Sequence, residues 1–171
     1  MKALWCLFLV IPITSFSQTS SNYFQGHFGL DLPYNTTAAY SARFDGGISF
    51  NGSTFIGVGF GLTKFYNIPG VYLPVYGNLS FAWHPDAMIF PFITVQPGYA
   101  LFKGQEATTR TINKITEGGL TYFAGAGIGF STQSRVKPVV TFGYSRFNYK
   151  VSSGAAYYFS GLSLRVSLLL L

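Results

Sequence analysis

A two-residue alternation of apolar side chains, a charged-residue content of only 9%, and connectors that alternate short and long define the fold class expected of this chain. They predict an all-β protein, a closed antiparallel up-and-down transmembrane β-barrel of eight strands preceded by a cleavable signal peptide. Successive side chains of a strand point to opposite faces, so each block has one apolar face and one small or polar face. Ordinary soluble domains carry about 25% charged residues, and disordered secreted segments carry little apolar residue at all.

Residues 1–17 have the organisation of an export signal. Lys2 provides the positive start, Ala3 to Ile13 an apolar core broken only by Pro12, and Ser15-Phe16-Ser17 a small-x-small cleavage site, which leaves residues 18–171 for the barrel. The core is too short to cross about 30 Å of hydrocarbon as a helix. Cys6, the one cysteine, lies within it, so the remaining chain has neither disulfides nor thiolate ligands and nucleophiles. The net charge of +6 includes Lys2, and the rest is scattered without a basic stripe, which argues against nucleic acid as a partner.

The strands follow in order. Asn22–Asp31 sets Phe24, Phe28 and Leu30 against Tyr23, Gln25, His27 and Asp31; Ala39–Phe50 sets Tyr40, Phe44 and Ile48 against Ser41, Arg43, Asp45 and Ser49. Thr54–Phe65 alternates Ile56, Val58, Phe60 and Leu62 with Gly57, Gly59 and Gly61. Tyr72–Trp83 alternates Leu73, Val75, Leu79 and Phe81 with Tyr76, Asn78 and Ser80. Met88–Phe102 carries Ile93, Val95, Tyr99 and Leu101 against Thr94 and Gln96, and is interrupted by Pro91 and Pro97. Each proline removes a ladder donor, so a bulge or a shorter strand is expected there. Gly119–Phe130 repeats the glycine row as Gly125, Gly127 and Gly129. Val136–Tyr149 sets Val140, Phe142 and Tyr144 against Thr141 and Ser145, and Ala155–Leu169 sets Leu162, Leu164, Val166 and Leu168 against Ser163 and Arg165.

The links at Asn51-Gly52-Ser53, His84–Ala87 and Ser131–Arg135 are short. Those at Leu32–Ala38, Tyr66–Val71, Lys103–Gly118 and Lys150–Gly154 are longer. Short turns on the periplasmic side and longer loops outside is the outer-membrane pattern. A soluble barrel would need the apolar parity inside and Lys or Glu on the other. Here the other parity is Gly, Ser, Thr and aromatic.

The Ser-Phe-Ser-Gln signal end, the Gly57-x-Gly59-x-Gly61 and Gly125-x-Gly127-x-Gly129 strands, and the closing Gly161-Leu-Ser-Leu-Arg-Val-Ser-Leu carry a likeness. Across its whole mature length the chain resembles the small outer-membrane β-barrel domain family of Gram-negative bacteria. The resemblance implies a fold and a location rather than an activity. It also implies outer-membrane lipid as surroundings and the barrel-assembly machinery as a partner during insertion. Two features depart from the pattern: the chain ends in Leu171 rather than an aromatic residue, and two prolines share one strand.

An eight-stranded bore is just wide enough for side chains to fill it. Arg43, Asp45 and Arg165 fall on the inward parity, so an internal ion-pair network of these three, joined by His27 and Asp31, is expected as a polar plug. In the Lys103–Gly118 connector, Lys103, Arg110 and Lys114 are candidates for contacts with phosphates of lipopolysaccharide. His27 and His84 are the only histidines, too few for a metal site, and no cofactor motif is present. The role read from these features is non-enzymatic, structural or surface-interacting. A narrow pore, an accessory of envelope secretion or assembly, and a rim-active lipid-modifying enzyme built on His27 with Ser49 and Asp45 stand as alternatives.

Overall fold

A computed structural model describes residues 20–34, 38–66, 70–108, 111–132, 134–150 and 156–171, with the side chains of 104–108, 111–117, 149–150 and 156–157 outside that description. The expected signal peptide, the connectors at 35–37, 67–69 and 151–155, and Arg110 lie outside the described residues.

Eight strands occupy the described residues: β1 (Ser20–Pro33), β2 (Ala39–Phe50), β3 (Thr54–Phe65), β4 (Gly70–Ala82), β5 (Ile89–Thr108), β6 (Thr111–Phe130), β7 (Val136–Lys150) and β8 (Ala156–Leu170). Each pairs antiparallel with the next, and β8 pairs back with β1, closing the barrel. One ladder row runs Ser21–Ser49–Phe55–Ser80–Thr94–Gly125–Gly143–Ser163 and returns to β1 at Asp31. That displacement, from Ser21 to Asp31, is a shear of ten residues, and it tilts the strands and fixes the width of the bore.

The alternation drawn from the sequence divides outside from inside. Phe28, Val58, Phe60, Val75, Leu120 and Phe142 are exposed, while Tyr23, Gln25, Arg43, Asp45, Gln96 and Arg165 are buried. Exposed tyrosines gather at the loop end (Tyr34, Tyr40, Tyr66, Tyr99, Tyr158), and Trp83 and Met88 mark the turn end. Amphipathic rings of this kind favour the headgroup level of a bilayer.

At the turn end, Asn51 and Gly52 both adopt positive φ (52° and 64°), the geometry of a two-residue hairpin turn that suits Asn-Gly. The Ser53 amide donates to the Phe50 carbonyl at 3.0 Å, and the Ser53 carbonyl accepts from the Ala82 amide at 2.7 Å, so neighbouring turns are tied together.

Two expectations are corrected. The Lys103–Gly118 segment is not a loop: β5 and β6 stay paired from Ile89↔Phe130 to Thr108↔Thr111. Above Thr121↔Phe147 the described β6 residues have no partner on β7, so the hairpin rises beyond the rest of the wall. Its β-branched threonines and isoleucines favour the extended chain even where the apolar alternation fades. Nor do the prolines produce a bulge or a shorter strand. The described β4–β5 pairs skip Gly77 and Asn78 opposite Pro97 and Gln96, then resume in the same register from Tyr76↔Gly98. Pro91 lies beyond the last described β4–β5 pair, Ala82↔Phe92, where its missing donor costs little.

Glycines on the inner face set how closely the wall can pack. A Cβ at Gly127 would run into the Val140 carbonyl and lie 2.7 Å from the Thr141 Cα, both backbone atoms that cannot turn aside. Gly127→Val is therefore expected to abolish the folded barrel, read as loss of heat-modifiable gel mobility. Ala126→Val, one residue away on the exposed face, should leave that mobility intact.

Candidate functional site

The strands stack their inward side chains in three tiers along the bore. At the turn end, Tyr23, Phe55, Phe90, Phe92, Val139 and Leu169 form an apolar cluster, with Leu171 packed against it. At the loop end, Ala39, Phe65, Tyr72, Phe102, Phe147 and Phe159 form a second. Phe65 is its centre, with ring centroids 5.1 Å from Tyr72, 5.6 Å from Phe147 and 4.9 Å from Phe159. These offset and edge-on contacts are the favoured ways to pack rings. The polar residues lie between the two clusters, so the plug consists of apolar lids enclosing a polar middle.

Asp45 organises that middle. Its Oδ1 accepts from His27 Nε2 at 2.5 Å and from the Tyr76 hydroxyl at 3.2 Å. Its Oδ2 accepts from Asn78 Nδ2 at 2.7 Å and from the Tyr23 hydroxyl at 3.3 Å. The Asn78 carbonyl in turn accepts from the hydroxyls of Ser80 (2.7 Å) and Thr94 (3.1 Å). Donors from β1 and β4 thus converge on one carboxylate of β2, which satisfies a charge that burial alone would make very costly. The glycines of β3 make room for this. A Cβ at Gly59 would lie 2.6 Å from both Asp45 Cβ and the Tyr76 ring.

The expected pairing of Arg43 and Arg165 with Asp45 is corrected on this point. Among the described residues the buried ion pair is His27–Asp45, and neither guanidinium reaches a carboxylate within 4 Å. Ring faces hold both instead. Arg165 Cζ sits 3.3 Å from the Phe123 centroid while its Nη1 donates to Gln96 Oε1 at 2.6 Å. Arg43 Cζ lies 5.5 Å from the Tyr76 ring and 5.8 Å from that of Phe147. Cation–π contact is worth most where water is excluded. Asp31 is fully buried and near both arginines without touching either.

His27 also meets Ser167, with Nδ1 and Oγ 2.7 Å apart. Ser49, the serine expected beside it, has no hydrogen-bond partner for its hydroxyl. Serine, histidine and aspartate in succession is the arrangement that activates a nucleophile. Here Ser167 is buried between the two apolar lids, on β8, whose neighbours engage it on both sides from Val136↔Leu170 and Phe24↔Leu170 upward. The contacts join β1, β2 and β8 across the bore. His84, by contrast, lies exposed in the turn after β4, at the rim of a surface groove with Asn51, Trp83 and Asp86. Among the described residues no three His, Asp or Glu side chains gather as metal ligands.

Lys137 was not singled out from the sequence. It points inward at the turn end, donates to the Pro85 carbonyl at 2.8 Å, and stands 5.9 Å from the Phe90 centroid, closing the lower lid. Its inward parity on β7, shared with Val139 and Thr141, was the available signal. Of the loop cations, Lys103 is exposed on the outward face of β5. Lys114 has only its backbone described, paired with Gln105.

The fold and bore define a class: a closed eight-stranded barrel of the outer-membrane type, with a filled interior. No family model and no curated protein sequence matches the chain. Solved structures do. Neisserial surface protein A superimposes with a TM-score of 0.62 at 14% identity, covering 90% of this chain and 99% of that one. The N-terminal β-barrel domain of Pseudomonas aeruginosa OprF gives 0.52 at 11% identity, covering 90% and 98%. A major outer membrane protein from Thermus thermophilus gives 0.50 at 10% identity, covering 88% and 99%. At these identities the likeness is one of fold.

Asp45→Ala leaves four buried donors without their acceptor and should cost about 3–5 kcal/mol of stability. His27→Leu combined with Asp45→Leu should cost less than the sum of the two single changes, because the pair is removed together. Urea unfolding of the barrel in micelles measures both.

Proposed function

We propose that this chain is an exported, integral outer-membrane protein with a non-enzymatic role, structural or surface-interacting, whose loop end faces outward. In this reading residues 1–17 direct export and are removed, and residues 18–171 insert with their short turns toward the periplasm. The reading is carried by one observation: side chains suited to hydrocarbon clothe the outside of a closed sheet, while Asp31, Arg43, Asp45 and Arg165 lie in a bore with apolar clusters at both ends. Hydrocarbon tolerates only helices and closed barrels as spanning elements. The fold neighbours support the location, two of them being outer-membrane or surface proteins by name.

Outer-membrane lipid is the surrounding partner. Lipopolysaccharide phosphates are proposed contacts for Lys103, Arg110 and Lys114, and the barrel-assembly machinery for insertion. An enzymatic role is disfavoured because the Ser–His–Asp contact is sealed inside, and an open pore because aromatic rings occupy both ends of the bore.

Placing a cation on the apolar exterior tests the membrane reading. Val58 is 72% exposed and halfway along the outward stripe of β3. Val58→Arg should destabilise the lipid-inserted barrel by about 2–4 kcal/mol, against about 0–1 for Met88→Arg at the turn rim. Equal tolerance at both positions would count against it. In planar bilayers the wild-type protein should show no steady conductance; a stable current altered by changing Arg43 would support a pore instead.

A further inference from the structure

The polar middle of the bore leaves specific atoms without protein partners. Both carboxylate oxygens of Asp31, Nε and Nη2 of Arg43, and Nε and Nη2 of Arg165 make no hydrogen bond, although the three residues are 0%, 4% and 1% exposed. The hydroxyls of Ser41 and Ser163 and both amide atoms of Gln25 are also unpartnered. Ser163 stands directly opposite Asp31 in the β1–β8 ladder, and Gly29 lies opposite Arg165. A Cβ on Gly29 would come within 2.6 Å of Ser41 Oγ and 3.1 Å of Arg165 Cγ, so these two side chains close over the glycine and are brought together there.

Buried polar atoms in folded proteins find a partner in protein or in water, and buried charges do so most strictly. The chemistry of the set identifies the partner. Four guanidinium nitrogens, carrying six N–H donors, share the bore with two carboxylate oxygens that can only accept and with hydroxyls that do either. An anion would satisfy the arginines but would be repelled by Asp31 and would leave its oxygens unmet. A metal cation would meet the reverse difficulty. Water donates to Asp31 and accepts from the guanidinium groups, and a buried site with several polar partners holds it.

We propose that Asp31, Arg43 and Arg165 are joined through bound water rather than by direct ion pairs, and that the apolar clusters at each end of the bore retain that water. The charges then neutralise one another at a distance without requiring the arginines to leave the rings of Phe123, Tyr76 and Phe147. The lids are part of the site: Phe65 and Phe147 cover it from the loop end, and Leu169 and Phe92 from the turn end.

The test uses ¹⁵N-labelled protein extracted from its membrane and held in micelles. The two guanidinium Nε–H resonances are assigned by their separate loss in Arg43→Lys and Arg165→Lys. Rotating-frame cross-peaks from both Nε–H protons to slowly exchanging water are expected, and Phe65→Ala should shorten the residence time of that water. If either substitution prevents folding, arginine-selective labelling of the wild type gives five Nε–H resonances, and Arg110→Lys, Arg135→Lys and Arg146→Lys remove the three that do not belong to the bore. Absence of water cross-peaks, or contacts to the Asp31 side chain in their place, would overturn the proposal. So would a rise in melting temperature with chloride or inorganic phosphate at fixed ionic strength, which would make the partner an anion.

Discussion

The structure depends on the closure of β8 onto β1. Hydrocarbon cannot hydrogen-bond a free amide or carbonyl, so a spanning sheet has to return on itself. The ladder from Phe24↔Leu170 to Pro33↔Gly161 makes that return, and the ten-residue shear that accompanies it determines how wide the cylinder is. With the width given, the interior must be filled. Glycines sit where large neighbours lean in: Tyr23 over Gly57, Arg43 over Gly61, Phe90 over Gly129.

Closure also divides the side chains by cost. Charged groups are expensive on the lipid face, and the carboxylates of β1 and β2 accordingly point inward, where each must then be compensated. The solution differs from residue to residue. Asp45 collects direct donors from the strands around it, Arg165 and Arg43 lean on aromatic faces, and Asp31 is left to solvent-mediated contact. Because these interactions cross between strands far apart in sequence, they bind the wall transversely where the ladder binds it only edge to edge. The barrel projects at its loop end, where the β5–β6 hairpin rises above its neighbours.

Much of the fold was legible because lipid enforces a strict period of two. The bounds of β2 and β3 were read as observed, with Asn51-Gly52 marking the turn between them. The inward parity of His27, Arg43, Asp45 and Arg165 followed from the same alternation. Legibility failed where that rule relaxes. Beyond the membrane, strands need no apolar face, so the Thr-rich stretch around 103–118 looked like a loop. Pro97 looked like a defect, whereas the opposing Gly77 lets the ladder lapse and resume without a shift. The partners inside the bore were the least accessible. His27 lies opposite Arg43 in the ladder, yet its side chain meets Asp45 and Ser167, because contacts within the bore follow the tilt of the strands and the lengths of the side chains. At both ends of the bore inward phenylalanines form the lining.

The central claim is that the apolar parity faces hydrocarbon. Single-tryptophan variants in a Trp83→Phe background, reconstituted in bilayers with acyl-chain-brominated lipids, test it most directly. Tryptophan at Val58 or Phe142 should be strongly quenched by the brominated chains and little affected by aqueous iodide, with the reverse at Ser53 in the turn. Quenching of Val58→Trp and Phe142→Trp by iodide alone would mean that water, not lipid, surrounds the barrel.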